Sequence, residues 1–149
     1  MAMPHFGLMN EDALGPVEGP LQRAKLHIRG GRRRLRQGKI SAGIVTLYDA
    51  LISAMRWYLA SPDHRKTLDI RETDDPTDDK NLFEIFERSG VAGKFDFKAF
   101  DMVVEKALNE EMPGYDYRGL WQNIEDFMTR LGVMPFDESK LPPEDPSTF

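Results

Sequence analysis

The chain contains no cysteine. That absence excludes a disulfide framework, a thiol nucleophile and any zinc or iron–sulfur site built on thiolates. Histidine is nearly as scarce, with His5, His27 and His64 the full set. A metal centre needs histidines and carboxylates to converge, for example two histidines one helical turn apart, or a glutamate and a histidine three apart. Neither spacing occurs, so all three are read as surface residues and no metal or cofactor is expected. Long apolar runs are missing too. The most apolar stretch, Ile40 to Ala60, is interrupted by Ser41, Thr46, Asp49, Ser53 and Arg56, well short of the ~20 residues a membrane span requires. The opening MAMPHFGLMNEDALGPVEGP has neither the basic start nor the apolar core of a secretory signal. A cytoplasmic protein without membrane contact is the expectation.

What is present has helical period. Leu21, Ala24, Ile28, Gly31 and Leu35 form one stripe, and Gln37-Gly38-Lys39 reads as a helix stop. From Ile40 to Ala60 apolar side chains cover most of the circumference, which places that helix at the centre of a bundle or at an oligomer interface. Ser61 to Thr77 is a long connection in which Thr67–Ile70 reads as a short strand or a turn. Further helices are expected over Asp78–Ser89, stopped by Gly90, and over Phe97–Met112, broken by Pro113-Gly114. The last helix is capped by Asp116, stapled by Tyr115 onto Leu120, and ended by Gly132. The reading is an all-α, five-helix bundle with antiparallel hairpins over 21–132. It has an N-terminal arm over 1–20 and a proline-rich C-terminal arm over 133–149, each expected to be extended. The C-terminal arm is either a disordered tail or a docked strap with Phe136, Leu141 and Phe149 as anchors.

Residues 24–59 resemble a helical hairpin of the tetratricopeptide type. The likeness rests on Gly31, Gln37-Gly38-Lys39-Ile40, Gly43-Ile44 and Tyr48-Asp49-Ala50-Leu51. The stretch is also similar to the opening hairpin of the HEPN family, where the second helix is long, as here through Arg56-Trp57-Tyr58-Leu59. Many HEPN members are nucleases with an arginine and a downstream histidine in a late helix. No histidine follows Pro76 here, so that resemblance does not imply nuclease chemistry.

Other motifs yield little. The Ser89–Phe100 loop lacks the alternating carboxylates of a calcium site, and Gly90–Lys94 lacks the spacing and the Ser or Thr of a phosphate loop. Glu84 with Glu87, and Asp101 with Glu105, read as solvated helix faces. Asp49, Ser53 and Arg56 form a polar seam on the apolar second helix, suited to fixing helix register or to holding a ligand.

Charge is the strongest signal. The total is -5, which argues against a bulk nucleic-acid binder. Residues 21–66, however, hold 11 basic and 2 acidic side chains, a net +9, against -4 over 67–80 and -7 over 81–149. Lys25, Arg29, Arg32, Arg33 and Arg36 make a candidate anion-binding face on the first helix. It is either open or neutralised by Glu72–Asp75, Asp78-Asp79 or the acidic tails. The leading expectation is a non-catalytic helical protein–protein interaction module that binds a protein partner or itself as a homo-oligomer. Its motivation is the surplus of Met55, Trp57, Tyr58, Trp121 and Met128. The alternative is a binder of RNA, DNA or another polyanion through the arginine-rich helix. An enzyme using Asp49, Arg56 and His64 is a third reading, and it requires an enclosed polar cavity beside Asp49.

Overall fold

A computed structural model describes residues 11–149; Met1–Asn10, with His5, lie outside the described residues. The helices are α1 (Glu11–Arg36), α2 (Ile40–Ala60), α3 (Pro62–Arg65), α4 (Asp79–Ser89), α5 (Phe97–Asn109) and α6 (Arg118–Leu131). Among the described residues there is no strand, and Thr67–Ile70 is turn and irregular backbone. The protein is all-α. The short α3, a single turn opened by Pro62, is the one helix the sequence pattern left within a loop.

Residues 11–20, grouped with the N-terminal arm on sequence, are helical. Gly15 interrupts α1 with φ 84°, and the helix resumes at Pro16, a residue suited to a first helical position. At the other end Gly38 turns the chain with φ 80°, while Gly38 N–H and Lys39 N–H close on the carbonyls of Leu35 and Arg34. The two helices of the resulting hairpin are locked by a reciprocal fit. Leu47 of α2 fills the space a side chain on Gly31 would need, and Leu35 of α1 fills that of Gly43.

α2 is the hub, with α1, α3, α5 and α6 packed on it, as its all-round apolarity predicts. Phe83, Phe95, Phe97 and Phe127 complete the core from the second half of the chain. Phe83 stacks on Phe97 at 4.7 Å, and Phe97 meets Phe127 edge-on at 5.5 Å. Asp78 and Asp96 cap α4 and α5 through Asn81 N–H and Ala99 N–H. α5 stops at Asn109 rather than Met112, because Glu110 is extended and its carbonyl accepts from Ser41 Oγ at 2.6 Å. The cap of α6 also moves by one residue. Tyr117 holds the cap position, and Asp116 instead accepts from both the backbone and the guanidinium of Arg118.

The surplus apolar surface expected on α2 and α6 is not left over. Met55 and Met128 are fully buried, Trp57 and Tyr58 are buried, and Trp121 lies half-buried beneath the Arg32 guanidinium. Exposed apolar surface instead sits on α5, where Met102 and Leu108 are 66% and 65% accessible. The C-terminal arm is docked. After α6 it runs along α1, through two short 3-10 turns, Glu138–Lys140 and Pro146–Thr148.

Candidate functional site

The arginine face of α1 is where the arm lands. Arg29 Nη2 donates to the Pro142 carbonyl at 2.8 Å, and Arg33 Nε donates to Glu144 at 3.1 Å. Arg32 faces Glu138 at 3.7 Å. Two aromatic rings add to the contact: Phe136 lies 5.8 Å from the Lys25 ammonium, and Phe149 lies 4.7 Å from the Arg33 guanidinium. Of the five predicted cations, Lys25, Arg29, Arg32 and Arg33 therefore meet the arm, while Arg36 is exposed at the end of α1. The acidic loop does not reach this face. Asp74 binds Arg88 and Asn81, and its carboxyl is held at about 2 by the Arg71 backbone N–H and then by Asn81.

Asp49, Ser53 and Arg56 of the predicted seam have separate surroundings. Asp49 accepts from Arg23 Nη2 at 2.7 Å and from His27 Nε2 at 2.8 Å, tying α2 to α1. Burial pushes the Asp49 carboxyl up, but the hydrogen bonds and charges of His27 and Arg23 outweigh it and hold it well below the usual carboxylate range. Ser53 is buried in the core. Arg56 turns to Asp79 at 3.0 Å and to the carbonyls of Pro76 and Thr77. Asp79 also accepts from the Tyr48 hydroxyl, which burial and this bond together push far above its ordinary value.

His27 corrects the reading of the histidines as surface groups, since it is only 3% exposed. Its Nδ1 faces the Arg23 carbonyl at 2.8 Å and its Nε2 faces Asp49. Both ring nitrogens thus face protein oxygens. His64 is half-buried, stacked on Tyr58 at 4.6 Å. The constellation Asp49, Arg56 and His64 is thus not brought together. The space beside Asp49 is an open groove of about 570 Å³ between α1, α2 and α5, and its lining includes His27, Arg34, Thr46 and Leu108. Among the described residues no three His, Asp or Glu side chains converge as metal ligands.

A second surface went unnoticed in the sequence. Between α5 and α6 lies an apolar notch of about 200 Å³ walled by Phe95, Ala99, Phe100, Val103, Tyr115 and Leu120, with Lys94, Asp96 and Asn123 on its lining. Tyr115 and Leu120 form one wall, and Phe95, Ala99 and Phe100 of the Phe95–Phe100 run form the other. The alternation in that run was the available signal: Phe97 turns into the core while Phe95 remains partly open.

No family model, curated protein or solved structure matches this chain. No helix among the described residues is long and apolar enough to cross a membrane.

Proposed function

We propose that the protein is a non-catalytic helical interaction module that self-associates through the face formed by α5 and α6. The observation that carries this reading is a knob beside a hole. Met102 stands 66% exposed on α5, one turn from Ala99 and next to Val103, two walls of the notch. An apolar cavity of ~150 Å³ holds a benzene-sized group, so a notch of about 200 Å³ has room for one methionine side chain. Knob and hole on one face suit an isologous dimer, in which each copy offers Met102 to the other's notch. Methionine, unbranched and polarisable, adapts well to an aromatic-walled hole.

Sedimentation velocity tests this. The chain should sediment as a dimer at micromolar concentration, and as a monomer after Met102→Glu or after Ala99→Trp, which fills the notch from within. A wild-type monomer at micromolar concentration, or a dimer unaffected by both substitutions, overturns the reading. The polyanion reading has weaker support, because Glu138, Pro142 and Glu144 already lie against Arg32, Arg29 and Arg33.

A further inference from the structure

The geometry points to the arginine face of α1 as a docking site for an extended acidic peptide segment, which the protein's own C-terminal arm occupies in cis and a partner segment of the same chemistry displaces. The arm itself shows what the face accepts. It offers two glutamates six residues apart, a proline carbonyl between them, and a terminal aromatic ring, placed on Arg32, Arg29 and Arg33.

Three features make the arm displaceable. First, its two turns are closed by bonds of their own: Asp137 and Asp145 each accept from the backbone of the serine two residues on, and the backbone bonds of Lys140, Leu141 and Phe149 stay within the arm. Second, Met134 and Phe136 reach the core, but none of the described residues beyond Phe136 is buried or packed on it, so little apolar area holds the acidic part of the arm. Third, the fit is incomplete at Arg32. Its Nε is shielded from solvent without a hydrogen-bond partner, and Glu138 approaches its Nη2 only to 3.7 Å. A guanidinium is best satisfied by a paired, bidentate carboxylate, and a segment that supplies one at Arg32 binds better than the arm does. Beside it a space of about 410 Å³, lined by Arg32, Phe136 and Glu138, leaves room for that carboxylate to enter.

Acidic peptide is favoured over nucleic acid because the face carries its own example of an acidic peptide. A tethered arm competes at an effective concentration near millimolar, so a free segment binds weakly until the arm is loosened. The experiment uses the intact chain and a fluorescein-labelled synthetic peptide of residues 137–149, read by fluorescence anisotropy. The intact double variant Glu144→Ala, Phe149→Ala should bind the peptide about tenfold tighter than the wild-type chain does. Glu138→Ala, which touches only the Arg32 contact, should give a smaller gain. Adding Arg29→Ala and Arg33→Ala to the double variant should abolish binding, and raising the salt concentration should weaken it throughout. Equal affinity for wild type and double variant, or no binding by either, overturns the proposal. So does a single-stranded oligonucleotide of equal net charge that binds the loosened chain more tightly than the peptide, since that assigns the face to nucleic acid.

Discussion

The hairpin at the heart of the fold rests on two glycines, and Gly43→Ala is the sharpest test of that statement. A methyl group at residue 43 would stand 2.9 Å from Leu35 Cγ and 3.1 Å from the Gly31 carbonyl oxygen. Leu35 is 3% exposed and has little room to retreat, and the carbonyl moves only if α1 moves. Overpacking of this kind costs about 1–3 kcal/mol, and two simultaneous contacts, one of them backbone, put this site at the upper end. Alanine returns about 1 kcal/mol of helix propensity relative to glycine. The net expectation is a loss of about 2 kcal/mol, which at a urea m-value of about 2 kcal/mol/M lowers the midpoint by about 1 M. Gly31→Ala should cost less. Its close contacts, 2.7 and 2.8 Å, are to the Leu47 side chain, and the Gly43 carbonyl lies at an ordinary 3.4 Å. Gly119→Ala is the control, because nothing lies within 4 Å of a side chain there, and it should stabilise by about 0.5 kcal/mol. The assay is urea unfolding followed by far-ultraviolet circular dichroism, with m compared across the three variants. A Gly43→Ala midpoint at or above wild type, with unchanged m, would refute the close-packing argument.

Two further outcomes follow from the same hairpin. Asp49→Asn should cost about 2 kcal/mol at neutral pH, because His27 and Arg23 lose a charged acceptor. The Asp49 carboxyl titrates below its unfolded value of about 3.9, so its contribution is complete above that value and fades as pH falls toward the folded one. Urea midpoints of both proteins should therefore converge under acid, and a gap that stays constant from pH 7 to acid would sink the assignment. Gly38→Ala, at φ 80°, should cost about 1 kcal/mol through backbone strain alone; a thermal melt indistinguishable from wild type would contradict it.

The parts of this fold that were readable from sequence are those decided within one or two helical turns. Gly31, Leu35, Gly43 and Leu47 announce a tight hairpin because small and branched residues alternate at helical spacing. Leu120, Ile124, Phe127 and Leu131 announce α6, and α2 announces its central place by having almost no polar side. His27 was misread because its neighbours along the chain are charged. Its neighbours in space follow from the rotation of α1, which buries Ala24, Leu26, His27 and Ile28 together, a wider stripe than the three- and four-residue steps mark out. The partners of Asp49 and Arg33 lie 26 and 111 residues away. No local pattern says which arginine of a basic helix turns inward and which waits for a chain end. The notch is hidden for a similar reason: its walls come from the start of α5 and from the Tyr115–Leu120 turn, and each is unremarkable until the two are set side by side.

Charge shows most plainly how a sum misleads. The whole chain carries -5, yet the cations concentrate on the α1–α2 hairpin, and the nearest acids in sequence go elsewhere. Asp74 is committed to Arg88 and Asn81, and Asp79 to Arg56 and Tyr48, so neither reaches the arginine row. What reaches it is the arm. Residues 137–149 bring four carboxylates and one lysine, a net -3, to a face of five cations, Lys25, Arg29, Arg32, Arg33 and Arg36. The arm therefore reduces the positive field of α1 without cancelling it. A residual positive face under a strap held mainly by ion pairs has two consequences. Added salt screens the partly open Arg32–Glu138 pair first, while the Glu144 pairs with Arg29 and Arg33, largely shielded from solvent, are screened much less. And the same residual field attracts any acidic segment that approaches, so the site competes for such segments even while its own arm is in place.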